Sequence, residues 1–386
     1  MSLKSQKWLV VEPSVSGHRI EYYNHLCWRA SQCPDDSFVF VVSSDFPQAS
    51  GKFSWPKVPN VEIDVLDAET SSRLNRRSGV VSAFRKTALL LSKIRRYRPT
   101  HVFLLEAQFF LPFLPIALLF SHREVKVDGI QFQVYPYRWK RVGRMTVFQD
   151  WLKLWMFSRF NCFRNIYVIN DNSAVCYYNR KFHTGRFRFA PDPIVPIEVK
   201  NVEDIRQKYS IAGDKILLCQ LGMLGRTKGT LNFVGALALL TREERSRFAC
   251  ILAGRVSAEI KDELKSLVAS LEDDMRMVVV DEFCSYDFLG SVCMAADYAM
   301  LTYKKNEGSS GFLGIAAQFK LPVVSTSEHM LGKLVRRNRL GVTTADVSPT
   351  GIASLLRQLP IRRSWQFGAY CEKNNVRKFA EIMFEP

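Results

Sequence analysis

Residues 190–196 read Ala-Pro-Asp-Pro-Ile-Val-Pro. Proline fixes φ and lacks an N–H, so three of them in six residues cannot pass through a helix or a central strand. The run divides a chain of 386 residues, too long for one ordinary core, into halves that each suit a single domain. Both halves carry the same alternation. In the first, apolar segments at Lys7–Glu12, Phe38–Ser43, Val61–Val65, His101–Leu105, Glu124–Ile130 and Ile166–Asn170 are expected strands. Amphipathic stretches lie between them, such as Val81–Tyr97, where Phe84, Ala88 and Leu91 share the apolar face. After the break the expected strands are Lys215–Gly222, Phe248–Gly254, Met277–Val280, Tyr298–Tyr303 and Leu321–Ser325. The helices among them are Val202–Tyr209, Thr230–Leu240, Ala258–Leu271, Ser285–Ala296 and Phe312–Phe319. Apolar strands alternating with helices imply parallel sheets covered on both faces. The expected fold class is therefore α/β: two Rossmann-like, doubly wound parallel-sheet domains, residues 1–193 and 194–365, facing a cleft. The closing segment Arg362–Phe384 is helical in pattern, and 366–386 could cross back to the first domain.

In such folds ligands sit at the carboxyl ends of the strands, so the loops there are where chemistry is sought. Leu221-Gly222-Met223-Leu224-Gly225-Arg226-Thr227-Lys228-Gly229 joins an expected strand to a helix. Gly222 lets the backbone approach a ligand, while Arg226 and Lys228 set two cations where a diphosphate would be held. A plain strand-to-helix turn with solvated basic residues has the same spacing. Glu307-Gly308-Ser309-Ser310-Gly311-Phe312 joins the next expected strand to its helix. Small residues there leave the first helical N–H groups accessible, and the helix dipole favours an anion. Gly308, Ser309, Ser310 and Gly311 are candidate donor contacts, with Glu307 beside them to accept hydrogen bonds from sugar hydroxyls. The alternative is a helix merely capped by Ser309 or Ser310, with Glu307 a surface carboxylate.

From about Asp204 to Leu355 the sequence resembles the C-terminal domain of family 4 glycosyltransferases, which have the GT-B fold. The resemblance is carried by Gly222…Lys228-Gly229, Ala253-Gly254, Ala295-Ala296-Asp297-Tyr298, Glu307-Gly308 and Leu321-Pro322-Val323-Val324-Ser325. Ala190-Pro191-Asp192-Pro193-Ile194 resembles that family's interdomain junction, and over the first half the likeness is loose. It implies a nucleotide-sugar donor, UDP- or GDP-linked, with no other cofactor and no metal. In the family a lysine before glycine and a nearby arginine hold the donor diphosphate. Lys228 matches the lysine; the arginine directly follows the glycine, where this chain has Met223, so Arg226 is the proposed substitute. The family also has two glutamates separated by seven residues, on the donor sugar and usually the ribose. Glu307 matches the first. The second falls on Ile315, which accepts no hydrogen bond, so ribose recognition must differ. Retention of anomeric configuration is a further implication, with Arg226, Lys228 and the helix N-terminus stabilising the leaving group.

Ser16-Gly17-His18-Arg19 follows the first strand, where these enzymes have a glycine loop. That makes Gly17 and Arg19 acceptor-side candidates and His18 a group meeting the acceptor or the transferred sugar, although a lone histidine is often structural. Glu106 and Gln108 end the strand His101–Leu105, and Gln131 ends another. Relatives often place a histidine at one of these strand ends; this chain has none there, and no general base is assigned.

Lysine and arginine number 54 against 37 aspartates and glutamates, a net charge of +17 that favours anionic partners. The surplus gathers in the first half. Arg73–Arg98 contains nine basic and no acidic residues, among them Arg76, Arg77, Arg85, Lys86, Lys93, Arg95 and Arg96. Tyr135–Arg164 interleaves Arg138, Lys140, Arg141, Arg144, Lys153 and Arg159 with Trp139, Phe148, Trp151, Trp155, Phe157 and Phe160. Cations among aromatics suit a membrane interface near anionic headgroups, and core helices with a solvated basic rim would look alike. No RNA- or DNA-binding pattern accompanies them, so no nucleic acid is expected as partner. Nine cysteines stand at no metal-binding spacing and read as reduced packing residues. Trp8–Val11 is shorter than the roughly 7–15 residues of a signal-peptide core. Phe109–Phe120, broken by Pro112 and Pro115, falls short of the about 20 residues a bilayer-spanning helix needs. The expected location is cytoplasmic, peripheral on the inner membrane face. The expected partners are a nucleotide-sugar donor, a glycan or lipid-linked acceptor, and an anionic membrane surface. Two other readings fit the same residues: a GT-B-fold protein binding nucleotide or glycan without turnover, and a basic binder of anionic polymers.

Overall fold

Burial on both faces is what the strand sequences encode. Trp8–Val11, Phe38–Val42 and Phe248–Ala253 show no alternation, and every residue in them is buried. Such strands need helices on each side. The computed structural model describes residues 5–13, 19–50, 58–75, 79–304, 308, 310–361 and 363–384, and it has two all-parallel sheets. The chain divides into two compact units, residues 1–193 with 376–386, and residues 194–375.

In the first unit the strands are β1 (Lys7–Glu12), β2 (Ser37–Val42), β3 (Val61–Val65), β4 (His101–Leu104), β5 (Lys126–Gln131), β6 (Phe163–Ile169) and β7 (Phe187–Ala190). Their order across the sheet is β3-β2-β1-β4-β5-β6-β7. In the second they are β8 (Ile216–Leu221), β9 (Phe248–Ala253), β10 (Arg276–Val280), β11 (Tyr298–Leu301), β12 (Val323–Thr326) and β13 (Gly341–Thr344), ordered β10-β9-β8-β11-β12-β13. Both orders reverse once, between β1 and β4 and between β8 and β11. At such a point the connecting loops diverge and leave room for a ligand.

Three sequence expectations change. β7 and β13 were not expected as strands; both are short sheet edges and only partly buried, so neither has a continuous apolar signature. The closing segment forms two short helices, Phe367–Lys373 and Val376–Glu381, rather than one. The chain is pinned between them, because Ile194 N–H donates to Asn374 O at 2.7 Å. The second helix and the residues after it belong to the first unit: Phe384 packs on Trp8, Phe38 and Phe103 at 4.9, 5.0 and 5.3 Å between ring centres. Burying a side chain of this kind contributes about 1.5–3 kcal/mol. Finally, the helix Val80–Tyr97 buries Ala83, Thr87, Leu90, Ile94 and Tyr97, and turns Phe84 and Ala88 to solvent. The helix carries two apolar stripes, and periodicity alone chose the wrong one. Among the described residues no helix is long and apolar enough to cross a membrane.

Candidate active site

The two motif loops are those that leave β8 and β11 at the reversal of the second sheet. Past β8 the chain turns at Gly222, φ +96°, whose N–H donates to Ala253 O at 2.9 Å. The strand ends here pack backbone on backbone: a Cβ added to Gly254 (φ +135°) would stand 1.9 Å from Gly222 O. Arg226–Lys228 then form a single 3₁₀ turn that ends at Gly229, φ +71°. Only a glycine fits there, since a Cβ would lie 2.1 Å from Thr302 O at the end of β11. Lys304 N–H donates to Thr227 O at 3.1 Å, and Gln220 Nε2 to Lys228 O at 3.1 Å. The loops are thus stitched together along their backbones.

Their side chains meet at Tyr303. Lys228 Nζ lies 4.0 Å from the centre of the Tyr303 ring, and the Tyr303 hydroxyl is 3.1 Å from Ser310 Oγ. Ser310 precedes the helix Gly311–Gln318 but its hydroxyl makes no capping bond. Ser310 therefore gives the first-turn N–H groups no side-chain acceptor, and such groups bind anions well. Gly311 is exposed and Gly308 half-buried at the same end. Glu307 and Ser309 lie outside the described residues. Ile315 is half-buried within the helix.

Arg226 goes elsewhere. Two positions on a 3₁₀ turn are about two-thirds of a turn apart, so Arg226 and Lys228 leave the turn in different directions. The Arg226 guanidinium pairs with Glu263 at 3.2 Å, each side chain 54% exposed. An exposed pair of this kind contributes about 0–1 kcal/mol, little enough to be exchanged for a phosphate.

The first unit holds a charged cluster where its own sheet reverses. Glu12 ends β1 and is buried, and Glu106 follows β4. Arg19, the first residue of the helix Arg19–Ser31, reaches both: 2.8 Å to Glu106 and 3.8 Å to Glu12. Burial alone would lower the Arg19 pKa, but Glu12 and Glu106 hold it above the ordinary arginine value. Burial pulls Lys86 below the usual lysine range, with Glu12 and Glu106 opposing. Gln108, just past β4, and Gln131, ending β5, are buried, each with an Oε1 that has no hydrogen-bond partner among the described residues. Gly17 and His18 lie outside the described residues.

Tyr303, Gln220, Glu12 and Lys86 were missed as site residues. Gln220, a lone polar residue inside Ile216–Leu221 and two residues before Gly222, carried a readable signal; a tyrosine closing an apolar strand did not. The basic and aromatic stretch 135–164 divides: part of it is held by internal partners, while Lys140, Arg141, Arg144, Phe148 and Trp151 are exposed. Arg138 Nε donates to the buried Asp150 at 2.9 Å, Trp139 Nε1 reaches the same carboxylate at 3.3 Å, and Arg164 pairs with Asp128.

No protein-family model and no curated protein sequence matches this chain. Solved structures do. HepE from Anabaena, crystallised with UDP and glucose, superposes with a TM-score of 0.66 at 13% identity, over 97% of each chain. WaaG, a glycosyltransferase involved in lipopolysaccharide biosynthesis, gives 0.68 at 14%, over 98% of this chain and 100% of that one. Sucrose-phosphate synthase from Thermosynechococcus elongatus gives 0.69 at 12%, over 98% and 97%. With its two parallel-sheet units, the chain has the GT-B fold of these proteins.

Proposed function

We propose that this protein is a family 4-like glycosyltransferase that moves a sugar from a UDP- or GDP-sugar to a glycan or lipid-linked acceptor. The observation that carries the reading is the meeting of Lys228, Tyr303 and Ser310 where the second sheet reverses. A departing nucleoside diphosphate gathers negative charge, and an ammonium near a helix N-terminus that Ser310 leaves without a side-chain cap stabilises charge at that moment. These groups supply the positive field that a metal ion would otherwise supply, which favours a metal-independent transfer; retention is what the resemblance to family 4 implies. Arg226 adds a second cation once it leaves Glu263, Gly222 lets the backbone come close, and Gly308 and Gly311 line the anion end. Glu307 is assigned to the donor sugar. Arg19, Glu106, Gln108 and Gln131 are assigned to the acceptor side, together with Gly17 and His18. HepE has been solved with UDP and with UDP-glucose, which supports a uridine nucleotide as the first donor to try. The setting that fits the basic first unit is polysaccharide or lipid-linked glycan assembly at a membrane surface.

Ile315, in place of a carboxylate, favours a second reading in which nucleotide is bound without turnover. Incubating the protein with UDP-, GDP- and ADP-sugars and measuring released nucleotide separates the two. Release from one donor, spared for free-nucleotide binding but lost in Glu307→Gln, is the expected result; tight binding with no release would favour the second reading.

A further inference from the structure

The helices Val80–Tyr97 and Phe113–Ser121 present an apolar surface that none of the described residues covers. The Phe84 and Phe113 rings, edge to face at 5.5 Å, join the two helices. Outward from that contact stand Phe84, 58% exposed, and Phe120, 78% exposed, with Val81, Ile116 and Leu119 also among the exposed apolar side chains. Ile116, Leu119 and Phe120 share one stripe at helical spacing. An isolated exposed leucine means little, but a contiguous patch of this kind marks a binding surface.

The charges around it indicate the partner. Neither helix carries an aspartate or glutamate. Arg95 continues the stripe of Phe84, Ala88 and Leu91, while Arg96 and Arg98 stand beside it and Arg123 follows the second helix. A two-fold contact with a second copy would set this cationic patch against an identical one, which disfavours self-association. The helix Arg144–Arg159 also exposes Met145, Phe148 and Trp151, but it carries an acidic residue, Asp150, its Trp151 packs on Phe182 at 5.8 Å, and Lys153 lies 5.8 Å over the Tyr135 ring.

We propose that this face docks on an anionic lipid bilayer, with Phe84, Ile116, Leu119 and Phe120 entering the headgroup boundary and the arginines pairing with lipid phosphates. At the inner end of the face Phe109 is exposed, with Lys86 Nζ 4.5 Å from its ring centre, and Lys86 is in turn coupled electrostatically to Glu106. Docking therefore brings the acceptor-side residues close to the membrane, as a lipid-borne acceptor requires. That last step rests on the transferase reading; the docking does not.

The test is co-sedimentation of the full chain with vesicles of phosphatidylcholine alone, or of phosphatidylcholine mixed equally with phosphatidylglycerol, at low and high salt. Only the anionic vesicles should carry the protein down, and salt should release it. The double substitution Ile116→Ser, Phe120→Ser should lower partitioning about tenfold or more. Arg95→Glu with Arg123→Glu should lower it about fivefold or more. These side chains are exposed, so circular dichroism and melting should not change. Met145→Ser with Phe148→Ser, on the helix Arg144–Arg159, should bind like wild type. The proposal is overturned by a wild type that ignores anionic vesicles at low salt, or by face variants that still bind fully. It is equally overturned by a dimer in sedimentation equilibrium that the Ile116 and Phe120 substitutions dissolve. Nucleotide binding in the same preparations should be unaffected by these substitutions; its absence in wild type would remove the transferase reading and leave the docking standing.

Discussion

The ammonium of Lys228 rests 4.0 Å from the centre of the Tyr303 ring, so a cation from the loop after β8 is held by an aromatic from the end of β11. A cation over an aromatic face contributes about 0.5–2 kcal/mol, enough to fix where a long side chain ends. Tyr303→Leu should weaken nucleotide diphosphate binding about threefold to thirtyfold by releasing Lys228. Tyr303→Phe keeps the ring and loses only the contact with Ser310, so it should weaken binding less. Titration calorimetry with UDP checks the order; a phenylalanine variant worse than the leucine variant would contradict it.

Arg226 makes a separate prediction because it starts out paired. Arg226→Ala should cost about 1–3 kcal/mol of diphosphate binding, the size of a charge-assisted hydrogen bond. Glu263→Gln should tighten binding by freeing the guanidinium. If neither substitution changes affinity, the pair with Glu263 is the whole role of Arg226.

Gly229→Ala addresses the stitching between the loops. At φ +71° the alanine is strained, and its Cβ would meet Thr302 O at 2.1 Å. Strain at such a position costs about 1–3 kcal/mol before the clash is counted. A lowered melting temperature together with weaker nucleotide binding is expected. Gly143→Ala, whose Cβ would meet nothing within 4 Å, is the silent control.

His25 sets a pH dependence. It is buried beneath the returning helix, 6.3 Å from the Phe379 ring, and its Nε2 has no hydrogen-bond partner among the described residues. Burial lowers its pKa to about 4 from 6.5, with Glu21 opposing. Between those values the unfolded chain takes up a proton that the folded chain refuses. The contribution is complete above pH 6.5 and lost as pH falls through about 4, a difference of about 3 kcal/mol. Melting measured from pH 7 to pH 4 should fall more steeply in wild type than in His25→Leu. Parallel profiles would show that His25 does not titrate in this way.

Much of the architecture was legible because buried parallel strands are written as continuous apolar runs. β1 at Lys7–Glu12 has the limits its residues suggest, and β9 at Phe248–Ala253 ends one residue inside them. The edge strands β7 and β13 were not legible: β13 reads Gly-Val-Thr-Thr and packs only partly. Which apolar stripe of Val80–Tyr97 faces inward was also invisible, since the sheet beneath decides it and the helix fits either way. At the candidate site, strand-loop-helix spacing located the segments holding Lys228 and Ser310. It could not show that Tyr303 holds Lys228, or that Arg226 faces Glu263, because both contacts join segments far apart in the chain.

The most direct test of the account is calorimetric titration of wild type and Lys228→Ala with UDP and GDP. Wild type should bind at least one of them, and Lys228→Ala should bind it about tenfold to a hundredfold more weakly, the equivalent of one charge-assisted contact. Wild type that binds neither nucleotide, or a variant that binds as well as wild type, would contradict a diphosphate site between Lys228 and the helix Gly311–Gln318.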